Sequence, residues 1–90
     1  MLVDWNPRKA ATNLRKHGVS FEEAATVFRD TLSATAADPD HSVSEDRYVT
    51  FAVSVRGRLL VVAHTERGET MWLISARPAT KRERKIYEEG

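Results

Sequence analysis

Apolar residues recur at helical spacing in the first third of the chain and predict two helices there. Asn6-Pro7 is typical of a helix start, and Gly18 provides the left-handed residue that ends many helices. Ser20 and Glu23 have the spacing of a capping box, in which each side chain bonds the backbone amide of the other residue. The second helix is therefore predicted to begin at Ser20 and to end near residue 30.

Later in the chain the apolar pattern changes to that of strands. Alternating residues are expected to share one side of a strand that begins at Tyr48: Val49, Phe51, Val53 and Val55. The pair Arg56-Gly57 indicates a hairpin, and the uninterrupted apolar run over residues 59–63 is typical of a central strand buried on both faces. A turn at residues 66–69 and a third strand over residues 71–76 complete a meander.

Three further segments complete the predicted order of elements. Residues 2–5 and 31–37 are interpreted as short strands, and the acidic stretch from Asp38 to Asp46 as an exposed loop. Thr80 and Glu83 form a second capping box that opens a last helix. The predicted order is β-α-α-β-β-β-β-α in a single domain over residues 1–90. This order predicts an α+β fold, with two N-terminal helices and a C-terminal helix against one face of an antiparallel sheet.

Composition limits the class of protein and the kinds of site. Ninety residues are enough for one small domain. The sequence has no cysteine, which excludes disulfides and thiolate metal sites and fits a reducing compartment. Neither a signal peptide nor an apolar run of the roughly 20 residues that a membrane span needs is visible. We therefore expect a cytoplasmic protein without membrane contact. The histidines His17, His41 and His64 lack metal-ligand spacing, so no metal or other cofactor is expected.

Charge is distributed unevenly although the net charge is only +1. Residues 30–47 contain one arginine against five acidic residues, whereas residues 48–90 contain eight lysines and arginines against five acidic residues. A basic terminal segment indicates a site for an anion, and nucleic acid is the usual candidate. A solvated face on the last helix is the alternative.

Three stretches of the sequence, in this order, resemble the BrnT family across essentially the whole chain. The first is Trp5-Asn6-Pro7 with the segment from Asn13 to Ala24, the second runs from His64 to Gly68, and the third is Ile74-Ser75-Ala76-Arg77 with its continuation to Glu88. Asp38-Pro39-Asp40-His41 adds to the likeness. The combination of segment 13–24 with the Ile-Ser-Ala-Arg motif is far more specific than any of its short pieces.

The resemblance implies a RelE-like fold and the activity of a ribonuclease toxin from a type II toxin–antitoxin operon. Such a toxin would be a metal-independent endoribonuclease that cleaves RNA and arrests translation and growth. Its partner would be a BrnA-like antitoxin with a ribbon-helix-helix DNA-binding part. Two toxins and two antitoxins would form a heterotetramer, which would contact operator DNA only through the antitoxin.

Four residues are candidates for catalysis. Metal-free RNA cleavage needs a base for the 2′-hydroxyl proton, cations for the developing charge and an acid for the leaving 5′-oxygen. Arg77 is the leading candidate because its planar fork fits phosphate oxygens. His64 and Glu66 are a candidate proton donor and acceptor near a strand end, and Arg67 follows them. A structural arginine, a histidine hydrogen-bonded in the sheet and solvated turn residues are the alternatives.

Four more residues are candidates for RNA binding. Lys16 lies at the end of the first helix, where the helix dipole alone would favour a cation. Lys81 and Arg84 share a face of the last helix, which RNA phosphate, antitoxin carboxylates or solvent could contact. Trp72 is either a stacking platform for a base or a core residue. A strand that is regular throughout would place Trp72 and Arg77 on opposite sides.

Two positions beside the Ile-Ser-Ala-Arg motif depart from the BrnT pattern. Trp72 stands where the family usually has arginine, and Pro78 stands where it usually has arginine or lysine. Both changes remove a cation from the candidate site. The sequence therefore supports two hypotheses, an active endoribonuclease and a catalytically weakened module that pairs with its antitoxin and takes part in operon autoregulation. The near-neutral net charge disfavours a regulator that binds DNA alone.

Overall fold

The computed structural model describes residues 2–89, and its elements follow the predicted order. The helices are α1 (Pro7–His17), α2 (Phe21–Ala25) and α3 (Lys81–Glu89), with single 3-10 turns at Thr26–Arg29 and Pro39–His41. The strands are β1 (Leu2–Trp5), β2 (Ala34–Ala37), β3 (Arg47–Val53), β4 (Leu59–Arg67) and β5 (Thr70–Pro78). The single domain predicted over residues 1–90 includes Met1 and Gly90, which lie outside the described residues. Within residues 2–89, no helix has the length and hydropathy needed to cross a membrane.

The five strands form one sheet in the order β1-β5-β4-β3-β2. The predicted antiparallel arrangement is confirmed from β2 to β5, but β1 runs parallel to β5. Parallel neighbours need a long crossover, and nearly the whole chain lies between these two strands. The sheet is therefore mixed at one edge, which the sequence did not indicate.

The sheet has two faces of different character. Helices α1 and α2 cover the first, here called the helix face, and the core lies there, made of Val19, Phe21, Ala24, Val27, Ala52, Leu60, Val62, Leu73 and Ala76. The second, here called the open face, carries the side chains that alternate with these along β3 and β4, among them Val49, Phe51 and Ala63. Val49, Phe51 and Val53 thus share one side, as predicted, and it is the open face, but Val55 lies beyond the end of β3.

A β-bulge in β5 changes which side chains reach the open face. Ala63 pairs with Ser75, but the next residue, His64, pairs with Leu73, so Ile74 is an extra residue on β5. Because one inserted residue reverses the alternation, Trp72 and Arg77 both point to the open face. The expectation for a regular strand, which put them on opposite sides, is wrong for this reason.

The side chain of Asn13 attaches α1 to β5. Its amide nitrogen donates to the carbonyls of Val19 (3.0 Å) and Ala76 (2.8 Å), and its amide oxygen accepts from the Ala76 backbone N–H (3.0 Å). Asn13 is buried, so these bonds satisfy polar groups that water cannot reach. The contact holds the strand segment directly before Arg77.

The two predicted capping boxes differ. The box of Thr80 and Glu83 is complete, with each side chain bonded to the backbone N–H of the other residue. In the first box, Ser20 Oγ accepts from the Glu23 N–H, but the Glu23 carboxylate does not return the bond. It accepts instead from Arg58 Nε (2.9 Å) and Ser54 Oγ (2.7 Å). A buried carboxylate requires a cationic partner, and Arg58 supplies one from a distant part of the chain.

Candidate functional site

Arg77 lies near the end of β5 on the open face, and its guanidinium group is bound at both ends by one carboxylate. Nη1 donates to Glu83 Oε1 (2.7 Å) and Nη2 to Glu83 Oε2 (2.9 Å). Hydrogen bonding from Arg77 lowers the pKa of Glu83 to about 2, and Glu83 in turn raises the pKa of Arg77. The pair is therefore fully ionised at neutral pH, and it joins β5 to the first turn of α3.

Arg67 and Trp72 form a second cationic position on the same face. The Arg67 guanidinium carbon lies 4.7 Å from the Trp72 ring centroid, within cation–π range. The same guanidinium group donates to Glu45, from Nη2 to Oε1 (3.0 Å) and from Nε to Oε2 (3.2 Å). Trp72 is half-buried, so it is not a core residue. Its indole ring instead supports the Arg67 guanidinium group.

His64 points to the helix face and is almost completely buried, with 3% of its surface exposed. Its Nε2 lies 2.7 Å from Thr50 Oγ1, and its ring packs edge-on against Phe28 at 5.1 Å between centroids. Burial lowers the pKa of His64, against a smaller opposing effect of the Glu66 charge. His64 is therefore neutral at physiological pH.

Glu66 shares the side of His64, as its spacing predicts, but that side is not the side of the arginines. It pairs in the ladder with Met71, a buried residue, and its own side chain is exposed at the strand end. The four candidate catalytic residues consequently do not form one cluster. Arg67 and Arg77 lie on the open face, whereas His64 and Glu66 lie on the helix face.

The candidate RNA-binding lysines and arginine divide in the same way. Lys16 is exposed on α1, in the layer that covers the helix face. Lys81 and Arg84 are exposed on α3, which begins four residues after Arg77. Phe51 and Tyr87 line a shared groove, so α3 lies over the open face. The expectation that all three helices pack against one face is therefore wrong for α3. Lys81 and Arg84 therefore lie on the same side of the sheet as Arg77, whereas Lys16 lies on the opposite side.

Arg47 is a basic residue of the open face that the sequence reading missed. It pairs with Thr65 in the β3–β4 ladder, so it lies at the same end of the face as Arg67. Its charge contributes to lowering the pKa of Glu45, behind the larger effect of Arg67. The alternating pattern of Arg47, Val49 and Phe51 could have identified its side of the strand. The acidic residues before Arg47 instead favoured the prediction of a loop that ends there.

The open face thus has a cationic position at each end. Arg77 pairs with Val61, and Trp72 pairs with Thr65, four residues further along β4. At about 3.3 Å per residue, roughly 13 Å separates the two positions. The small residues Ala63 and Ser75 lie between them. The guanidinium groups of Arg67 and Arg77 can bind anionic groups, and the indole of Trp72 can stack on an aromatic ring. This arrangement suits an extended anionic chain that carries aromatic bases.

Comparison with known proteins assigns the family. The chain matches, over residues 5–83, the family described as ribonuclease toxin, BrnT, of type II toxin–antitoxin systems. The chain belongs to the BrnT family. The matched segment includes both cationic positions of the open face and ends at Glu83, so of the candidate residues only Arg84 lies beyond it. Membership in a toxin–antitoxin family implies an antitoxin as partner.

A solved structure supports the same assignment. The crystal structure of the Brucella abortus ribonuclease toxin BrnT, at 1.1 Å resolution, matches with a TM-score of 0.68 and 26% sequence identity. The match covers 90% of this chain and 99% of that chain. The predicted BrnT resemblance and the RelE-like α+β fold are thereby confirmed. None of the curated proteins matches this chain in sequence.

Within residues 2–89, no group of three or more histidine, cysteine, aspartate or glutamate side chains is arranged to hold a metal ion. The acidic residues nearest the candidate site, Glu45 and Glu83, are bonded to arginines.

Proposed function

We propose that this BrnT-family chain is a metal-independent endoribonuclease that binds RNA across its open face and cleaves it to arrest translation and growth. The observation that carries the proposal is the placement of Arg67, Trp72 and Arg77 on one face, which the bulge at Ile74 makes possible. RNA supplies both groups that this face suits, phosphates for the guanidinium groups and a base for the indole.

In the proposed reaction the 2′-oxygen attacks the adjacent phosphorus, and the bond from phosphorus to the 5′-oxygen breaks. Negative charge accumulates on the phosphate oxygens as this happens, and Arg77 is placed to stabilise it with two parallel N–H donors. Arg67 would hold a second phosphate further along the same RNA chain and so fix its orientation. Lys81 and Arg84 would contact RNA that continues over α3, and Lys16 would act at most through long-range attraction.

Proton transfer needs a group that RNA can reach. His64 is buried and neutral on the helix face, so we assign it to the stability of the sheet. Glu66 is exposed at the end of β4, but it lies on the helix face and roughly 16 Å along the ladder from Arg77, so it cannot reach a phosphate that Arg77 holds. Water would take the 2′-hydroxyl proton and protonate the leaving 5′-oxygen. Charge stabilisation by the arginines would then provide most of the rate acceleration.

The second candidate function is a binding module with little catalytic activity, which pairs with its antitoxin and takes part in operon autoregulation. The specific observation in its favour is that carboxylates already occupy both guanidinium groups, Arg67 and Arg77. Pro78, which follows Arg77, adds no cation there.

The proposal extends to the partner and the cellular setting. We propose a BrnA-like ribbon-helix-helix antitoxin that forms a 2:2 heterotetramer with this toxin in the cytoplasm. Operator DNA would be contacted through the antitoxin, since the toxin has a net charge of only +1.

Incubation of the purified chain with total RNA in EDTA tests the activity. Wild-type protein should cleave the RNA, and Arg77→Ala should lower the rate about 100-fold, as for loss of one donor to developing charge. Arg82→Ala, an exposed position on α3, is the matched control and should cleave like wild type. Equal rates for wild type and Arg77→Ala, with both proteins folded by circular dichroism, would exclude the enzyme and favour the binding module.

A further inference from the structure

Arg67 and Arg77, the arginines at the two cationic positions of the open face, are not free to bind phosphate in this structure. Arg67 is bonded to Glu45 through two nitrogens, and Arg77 is bonded to Glu83 in the same way. A carboxylate held by two parallel N–H donors occupies the positions that two phosphate oxygens would take. RNA must therefore displace a carboxylate to use either arginine.

The two carboxylates come from outside the strands that carry the arginines. Glu45 precedes β3, at the end of the acidic segment, and Glu83 belongs to the first turn of α3. Glu45 contacts Arg67 on β4, and Glu83 contacts Arg77 on β5. The two contacts thus have the same design, although they lie at opposite ends of the face.

We propose that Glu45 and Glu83 are internal competitors of RNA, which mask the two phosphate-binding arginines and set the affinity of the open face. This inference rests on the proposed function and adds a regulation to it. The toxin alone would bind RNA weakly, and only a chain that offers phosphates to both ends at once would displace both carboxylates.

Arg47 can provide the first contact for an RNA phosphate on the open face while Arg67 and Arg77 are still bonded to carboxylates. Among the described residues, it takes part in no ion pair within 4 Å, although it lies across the ladder from Thr65 near Arg67. Its side chain is half-buried and its charge faces the same end of the open face. A phosphate that first binds Arg47 would repel the Glu45 carboxylate and compete with it for Arg67.

The mask would not be removed by moderate acidity. Glu83 has a pKa of about 2 in the pair, so it stays ionised and bound to Arg77 over the physiological range. Release of Arg77 therefore requires a competing anion. In the alternative role the two ion pairs only stabilise the fold. Removing either carboxylate would then not increase RNA affinity beyond the effect of the net charge.

Fluorescence anisotropy with a labelled single-stranded RNA, 2′-O-methylated so that it cannot be cleaved, tests the mask. Glu45→Gln and Glu83→Gln each remove one competing charge, and glutamine at position 83 can still cap α3. Glu69→Gln, in the turn between β4 and β5, and Glu88→Gln, on α3, are controls at exposed positions that change the net charge equally. Thermal unfolding of every variant is measured in parallel.

We expect Glu45→Gln and Glu83→Gln to bind the RNA about 5–10-fold more tightly than wild type, and the controls to stay within about twofold. Equal affinities for the masking variants and the controls would overturn the inference, because net charge alone would then explain the change. If Glu83→Gln does not fold, Glu45→Gln against Glu69→Gln decides the question. The proposed RNA face itself fails on a different result, namely that Arg67→Ala and Arg77→Ala leave the affinity unchanged.

Discussion

Trp72 and Arg77 point to the same face of the sheet, although an odd number of positions separates them along β5. The bulge at Ile74 reverses the alternation between them, so an aromatic ring and a guanidinium group that a regular strand would separate lie on one surface. Arg67 rests on that ring, so two cations and one stacking surface lie within reach of a single RNA chain.

The two parallel N–H donors of the Arg77 guanidinium group should contribute to RNA cleavage beyond the effect of its positive charge. Arg77→Lys retains the positive charge but offers no pair of coplanar donors, so we expect about tenfold slower RNA cleavage with little change in thermal stability. Arg82→Lys, at an exposed position nearby, should leave the rate unchanged. An Arg77→Lys rate equal to wild type would show that point charge alone suffices.

Trp72 should contribute to RNA affinity by stacking. Replacement by alanine removes the ring that supports Arg67 and that is the proposed stacking surface for a base, so we expect about tenfold weaker binding of a non-cleavable RNA. Trp72→Phe keeps an aromatic face and should retain most of the affinity. The role fails if the alanine and phenylalanine variants bind RNA equally well.

The buried His64 should make stability depend on pH. The pKa of His64 is lowered in the folded state. Below about pH 6.5 the imidazole is therefore protonated more readily in the unfolded chain than in the folded chain. Stability should therefore fall as the pH drops from 7.5 to 5. In His64→Leu this part of the loss should disappear, while Thr50 keeps its bond to Thr35. Urea unfolding across that range measures the slope, and identical slopes for both proteins would refute the assignment.

Asn13 should be a major source of stability although it is polar. Asn13→Ala leaves two carbonyls and one backbone N–H buried without partners, so we expect a loss of about 3 kcal/mol in the free energy of unfolding. Thr12→Ala, one residue earlier on the exposed side of α1, is the control and should cost less than about 0.5 kcal/mol. Similar losses for the two variants in urea unfolding would contradict this role.

Local signals in the sequence predicted the elements well. The helix start at Asn6, the left-handed Gly18 and the capping box at Thr80 all depend on neighbouring residues, and the structure confirms each of them. The alternation of Val49 and Phe51 likewise identified a shared side correctly. Such features follow from hydrogen bonds and periodicity within a few residues.

Long-range features could not be predicted in the same way. The parallel pairing of β1 and the ion pair of Glu23 with Arg58 join residues far apart in sequence, and no local pattern marks either one. The bulge at Ile74 is hidden in an apolar strand, yet it decides where Arg77 points. For this reason the residue types at the candidate site were identifiable from sequence, but their division between the two faces was not.

The two tryptophans of the chain allow a direct test of where RNA binds. Trp72 lies on the open face, whereas Trp5 packs edge-on against Phe21 on the helix face, with 5.9 Å between ring centroids. In Trp5→Phe, Trp72 is the sole tryptophan, and its fluorescence should be quenched as a non-cleavable RNA is added. In Trp72→Phe, the fluorescence of Trp5 should not change. Quenching of Trp5 while Trp72 is unaffected would place the RNA on the helix face and contradict the account.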